Sequence, residues 1–517
     1  MITITENITP TQFIDAIYDN NLHKTDIETT TLTGDLITNF NSNFDYLQTI
    51  YPSIVNKTPI TVGMSGAAYI AALNSNFTKV FAQMPYEKYN VPDNEGSEYN
   101  IVSDINHGPA LLKLANGTHL ISCMKRGGIG YNRDNFTVIR GADGNYSTPN
   151  LIGHDEISDG TYDSHGKASF VEKSGIIYGV HEVYRGVGET KNGPHNSDII
   201  VIKSEDGGST WTEITRVLGY HSYPQIVVVG SNIYLIARTA SNDTSGFPFY
   251  FSIWSSNDNC ETWTALPKVY QAASNVYTYK DIIINGSELN LIIMDRVTSG
   301  DGTFATYPYV FHVRTTDGIT WYNSAKTWSK NVQTGGYITT AEGKANCLIG
   351  TYTNDTYSSQ YQGGFIKDDK LYSLISYGQC SAATTDAGLG LGKTVYDSCK
   401  LYEGAAELLD LSALVTDFTY ECYTAQFLRL MRNGDTFDII QTNDKDGTDI
   451  KLHNYNTEAL ISTKILRLGI SDVHGQQYGA NTYQSTERSG RLIVIAKLTG
   501  SWYDLYDAYA DLVIFET

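Results

Sequence analysis

Arginine recurs at matching places in this 517-residue chain: Arg126, Arg185, Arg238 and Arg296 each close the second of two apolar segments in successive units. A guanidinium there can grip a carboxylate through two parallel hydrogen bonds, so several on one face would hold an acidic ligand. His165, His181 and His221 lie among the same units, and His181 also stands near the end of a second segment. An imidazole exchanges protons near neutral pH. Metal chemistry has little support, because the six cysteines (123, 260, 347, 380, 399 and 422) contain no CxxC pair and read as ordinary buried thiols. The DKDG stretch at 444–447 begins like a calcium loop but lacks the remaining ligands. No metal and no cofactor is expected.

The elements that must position these residues are short strands. GPALLKLANGTHLISCMKR (108–126), ASFVEKSGIIYGVHEVYR (168–185), PQIVVVGSNIYLIART (224–239) and KDIIINGSELNLIIMDR (280–296) share one plan. Each has an apolar strand, a tight turn, a second apolar strand and a polar end. Weaker copies follow at 363–378, 424–443 and 485–498. The recurrence of about 55–65 residues suits a four-stranded propeller blade. Seven hairpins predict seven blades over 101–517, with six as the alternative. The last strand, DLVIFET (511–517), is expected to close the ring on a strand near 99–105.

A second signature sits inside the repeats. SEDGGSTW (204–211), SNDNCETW (256–263) and TTDGITW (315–321) occupy corresponding places, with Cys260 where glycine is expected. The pattern resembles the Asp-box of sialidase-like (BNR) propellers. The resemblance implies a turn between outer strands, in which the carboxylate accepts backbone hydrogen bonds and the tryptophan packs between blades. Its aspartates are therefore structural. The Arg-Ile-Pro opening typical of sialidases is absent.

The segments YHSYPQIVVVGSNIYLIART (220–239) and FYFSIWSSNDNCETW (249–263) are similar to the BNR-4 propellers that include ulvan-lyase-like polysaccharide lyases. Roughly 105–400 is covered. The resemblance implies a catalytic set of His107, Tyr223 and Arg238. Arg126, His181, Arg185, His221 and Arg296, picked out by strand position and chemistry, are the expected substrate-binding residues. Where those lyases often carry a second histidine, this chain has Cys123, Lys125 and Arg126. Elimination at a uronate needs its carboxylate neutralised, the C5 proton removed and the leaving oxygen protonated. Arg238 is expected to pair with the carboxylate, and Tyr223 or His107 to move the proton.

Residues 1–84 differ. IDAIYDNN (14–21), ITNFNSNF (37–44) and IAALNSNF (70–77) repeat one apolar–x–x–apolar core with asparagine-rich ends, predicting a small helical module. Residues 85–100, polar and with two prolines, read as a linker. The formal charge of −20 argues against nucleic acid as a partner. No run of 18 apolar residues and no secretory leader is visible, so no membrane partner is expected. The fold expectation is therefore mainly β: a sialidase-like β-propeller behind a small N-terminal helical domain. A glycan-facing propeller without a leader fits a phage virion, as a tail protein that docks to other tail proteins or self-associates through 1–84. It would bind a host surface polysaccharide. The alternatives are a free polysaccharide lyase or glycoside hydrolase, and a non-catalytic interaction scaffold. From sequence alone, the activity stays undecided between cleavage and binding.

Overall fold

A computed structural model describes residues 87–89, 99–100, 111–126, 133–153, 168–184, 197–240, 248–272, 278–298, 305–350, 357–381, 393–415, 418–420, 428–433, 436–442, 450–456, 462–467, 477–479, 492–499 and 509–516. The chain divides into two units, 1–85 with 466–470 and 86–465 with 471–517. The expected helices of 1–84 lie outside the described residues, as do His107, His165, Arg185 and the DKDG stretch.

Among the described residues the second unit is almost entirely strand, gathered into six hydrogen-bonded sheets. Tight two-residue turns make the hairpins. Val229 pairs with Asn232, and Asn285 with Glu288. The intervening loops open on Gly230 and Gly286, whose φ of 60° and 59° suits such a turn. The first six repeated segments fall on antiparallel hairpins. In the seventh, Leu492–Thr499 pairs with Gln477–Gly479, further upstream than the sequence pattern suggests.

One sheet holds nine strands and is two units joined by a single 18-residue strand, Thr212–Val229. Its first half pairs with Ser197–Ser204, and its second half with Asn232–Thr239. The apolar faces on either side of the junction bury one cluster, in which Tyr178 and Val180 meet Ile226 and Leu235.

The strands alternate between two cores. Ile282, Leu291 and Ile293 pack with Val227, Phe251 and Trp321 of one cluster. Their neighbours Ile283, Ile292 and Met294 pack with Tyr361, Ile375 and Tyr377 of the next. Because both faces are covered, these segments read as near-continuous apolar runs instead of alternating ones. Deleting one such side chain to alanine costs about 2–5 kcal/mol.

The closing strand is not where the sequence pattern put it. Tyr509–Glu516 pairs antiparallel with Glu87–Tyr89, inside the stretch read as a linker. Tyr99–Asn100 pairs instead with His119–Arg126. The terminal run needs a partner with matching open edges, and three polar residues suffice because backbone groups make the contact.

The three outer turns share one hydrogen-bonding plan. Asp206 accepts from the Thr210 amide (2.8 Å), the Thr210 hydroxyl (2.7 Å) and the Ser204 hydroxyl (2.8 Å). Asp258 receives the same three groups from Thr262 and Ser256. Asp317 accepts from the amides of Ile319 and Thr320 and from the Thr315 hydroxyl. These bonds, led by the threonine hydroxyl, hold the Asp206 and Asp258 carboxyls down at about 2. The tryptophans turn inward: Trp321 is fully buried, and Trp211 lies 5.2 Å from Phe170.

Candidate active site

Tyr223 and Pro224 interrupt the long strand. Register slips between Ser222 and Gln225, and Tyr223 adopts a φ of 55°. Proline lacks the N–H that a ladder requires and disfavours helical backbone in the residue before it. The Tyr-Pro pair therefore encodes the bulge. A left-handed conformation in a residue with a Cβ costs about 1–2 kcal/mol, which its surroundings must offset.

Those surroundings come from three strands besides its own. The Tyr223 amide donates to the Glu182 carboxylate, from Ile176–Tyr184. The Tyr223 carbonyl accepts from Lys280 Nζ at 2.8 Å, from Thr278–Asn285 in the following sheet. Arg238, on Asn232–Thr239, lies against its ring, with the guanidinium carbon 4.4 Å from the Tyr223 centroid. The same carbon is 4.6 Å from the Phe249 ring and 5.1 Å from the Tyr279 ring. Arg238 Nε donates to Ser222 Oγ (2.9 Å), and an Nη reaches the Thr278 carbonyl (3.5 Å). Tyr279 meets the Tyr223 ring edge-on at 5.7 Å.

This stack joins two residues that sequence reasoning had singled out, Tyr223 and Arg238. Arg238 is 1% exposed, whereas Tyr223 is half-buried. The phenol is the more exposed of the pair, and the guanidinium packs against three ring faces.

The two described candidate histidines are engaged elsewhere. His181 and Glu182 are neighbours on one strand, so they point to opposite faces. Glu182 shares the face of Tyr178 and Val180 and reaches Tyr223. His181 points the other way, where a Cβ on Gly153 would come 2.2 Å from its ring. Its Nδ1 lies 3.2 Å from the Glu182 carbonyl. His221 is buried edge-on against Trp254 at 5.1 Å, between the Thr239 hydroxyl (3.1 Å) and the Leu218 carbonyl (3.3 Å). Both are thus core histidines in built niches, not groups converging on the Tyr223–Arg238 stack. Arg126 ends the strand His119–Arg126, and Arg296 sits at the bulge between Asp295 and Val297.

Sequence reasoning missed Glu182, Lys280, Tyr279 and Phe249. The alternation rule carried the signal for the first, since Glu182 lies an even number of residues from Tyr178 and Val180. Nothing local marked Lys280, which matters only through a contact made across 57 residues.

No protein-family model matches the sequence, and no curated protein does. Solved structures do match. An ulvan lyase of polysaccharide lyase family PL25, solved bound to -[GlcA(1-4)Rha3S]-, is 14% identical with a TM-score of 0.56, covering 82% of this chain and 95% of its own. The polysaccharide lyase Uly1 is 13% identical with a TM-score of 0.52, covering 84% and 98%. The fold is a β-propeller of the kind seen in ulvan lyase. At these identities the likeness speaks of the propeller alone. Among the described residues, no helix is long and apolar enough to cross a membrane, and no cluster of three or more His, Cys, Asp or Glu could hold a metal ion.

Proposed function

We propose that this propeller binds an acidic polysaccharide and cleaves it by elimination at a uronate, with Tyr223 as the proton-transfer residue and Arg238 as the cation behind it. The carrying observation is the stack itself: a half-buried phenol in a strained backbone position, with a guanidinium 4.4 Å from its ring. A buried cation attracts charge with little solvent screening. It therefore stabilises both the negative phenol oxygen and a uronate carboxylate at the same surface.

In the reaction the C5–H bond breaks and its proton passes to the enzyme. The electron pair forms the C4=C5 double bond, the C4–O4 bond breaks, and the leaving O4 takes a proton. Tyr223, or His107 in this reading, takes the first proton and supplies the second. Arg126, Arg185 and Arg296 complete the reading as further contacts for an acidic chain. The glucuronate–rhamnose sulfate in the PL25 lyase complex supports a uronate as the ligand.

The blade number belongs to the same reading. Six sheets, one of them double, support a count of seven blades, and the pairing of Glu87–Tyr89 with Tyr509–Glu516 supports a ring closed there. The three turns at Asp206, Asp258 and Asp317 support the sialidase-like, Asp-box type. The asparagine-rich repeats of 1–84 support a companion reading, that this segment docks the propeller to a virion tail. Deleting 1–84 then abolishes particle incorporation and leaves the propeller folded.

The decisive experiment incubates the full chain with glucuronate–rhamnose polysaccharide and follows ultraviolet absorbance. Elimination creates an absorbing unsaturated uronate, and Tyr223→Phe abolishes the rise. New reducing ends without absorbance would overturn the lyase reading in favour of hydrolysis. Binding with neither product would leave a glycan-binding propeller.

A further inference from the structure

We propose that Glu182 and Lys280 are positioning residues that hold the Tyr223 backbone from both sides and so set where its phenol stands. This rests on the reading of Tyr223 as the proton-transfer residue.

The slip between Ser222 and Gln225 takes Tyr223 off the ladder, leaving an N–H and a C=O that a buried strand must satisfy by other means. Here the acceptor is a carboxylate and the donor an ammonium, each on a residue only 1% exposed. Burying two ionisable groups is costly unless each is used, and a charged partner makes a stronger, better-directed hydrogen bond than a neutral one.

The residue they hold explains the need. A glycine would adopt a φ of 55° freely. A tyrosine before a proline would relax towards extended backbone, and its ring would swing off Arg238. Because the site requires the phenol, the strained conformation must be imposed from outside. Glu182 comes from an earlier strand of the same sheet and Lys280 from the sheet that follows. Side chains from an earlier strand and from the following sheet thus converge on the backbone of one residue.

The test uses the full chain, elimination kinetics on glucuronate–rhamnose polysaccharide, and amide hydrogen exchange across 219–226. Glu182→Ala and Lys280→Met should lower kcat by about 10- to 100-fold with KM changed less than about twofold, the signature of a misplaced reacting group. Glu182→Gln should recover most of the loss, since its amide oxygen still accepts. Exchange at the Tyr223 amide should accelerate in Glu182→Ala and not in Glu182→Gln. Should Lys280→Met fail to fold, Lys280→Arg keeps a donor and should fall between it and the parent. Folded variants with unchanged kcat, or with KM alone raised, would overturn the proposal. If the parent chain makes no unsaturated product, the lyase reading falls separately. The exchange result then decides the clamp, and unchanged exchange at Tyr223 in Glu182→Ala would refute it.

Discussion

Arg238 and Arg314 are both buried, at 1% and 0% exposure, yet they are held in opposite ways. Arg314 bonds the carboxylates of Glu288 and Asp369, and its other Nη donates to the Asp369 carbonyl (2.9 Å) and the Ser324 carbonyl (3.3 Å). Lys326 joins the same carboxylates at 3.4 and 3.1 Å. The result staples one sheet to the Asp368–Asp369 turn of the next. Arg238 is packed against three aromatic rings, a hydroxyl and a carbonyl. Full negative charges surround the first arginine, whereas the second packs against aromatic rings beside Tyr223. One buried cation fastens two sheets, the other lies against the candidate phenol.

Replacing each with alanine gives the largest expected effects and the sharpest test. Arg314→Ala leaves the nearly buried Glu288 carboxylate with the more exposed and more distant Lys326 and should cost about 3 kcal/mol in chemical denaturation. Elimination per folded molecule should not change. Arg238→Ala should lower elimination by about 10²–10³-fold, the usual scale for removing one preorganised charge-stabilising group. Lost activity in Arg314→Ala at full stability would break the division.

Solution pH probes the same contrast through three buried groups. Asp295 is raised to about 7, chiefly by burial, with Tyr270, Thr340 and Lys344 around it. Its folded form keeps a proton that the unfolded chain loses near 4, so its contribution falls as pH climbs from about 4 to 7. His119 and His312 are lowered to about 4 and 3, also chiefly by burial, with Arg140 and Lys113 beside the first and Arg314 beside the second. Their contributions fall as pH drops below about 6.5, where the unfolded imidazoles take up protons. Stability should therefore peak between about pH 6 and 7. Asp295→Asn should remove the decline up to pH 7, with a gain at neutrality of up to about 4 kcal/mol. Thermal melts from pH 4 to 8 check both the peak and its shift.

Within the staple the two carboxylates are unequal, since the Asp369 side chain is 59% exposed and that of Glu288 10%. Asp369→Asn should cost under about 1 kcal/mol, as exposed ion pairs do. Glu288→Gln should cost about 2–3 kcal/mol by leaving Arg314 less compensated. Equal losses would mean that the burial difference does not govern the staple.

How much of this was legible in the sequence follows from the range of each interaction. The hairpins were readable because glycine turns and apolar runs are local signals. Tyr223-Pro224 and Arg238 came into view through their likeness to a known propeller pattern, and the fold does bring the two side chains together. The staple was not, because Arg314 meets Asp369 across 55 residues and nothing nearby marks either. Lys280 failed for the same reason, and Glu182 was hidden behind the more chemically suggestive His181 beside it. The pairing of Glu87–Tyr89 with the terminal strand was missed because pairing through backbone leaves no demand on side-chain type.

The smallest expected effect lies at the outer turns, farthest from either arginine in role. Cys260 occupies the place of Gly208 in the equivalent turn and holds a φ of 71° while fully buried. Cys260→Gly would relieve about 1 kcal/mol of backbone strain and forfeit about as much in lost apolar burial beside Tyr178. The net change should stay within about 1 kcal/mol, with elimination untouched. Burial pushes the thiol up to about 12, so alkylation should require unfolding. Asp258→Ala in the same turn frees three donors at once and should lower the melting temperature by a few degrees, again without kinetic effect. If Cys260→Gly altered kcat, the outer turns would be coupled to the Tyr223 stack, and the separation between fastening and acting regions would no longer hold.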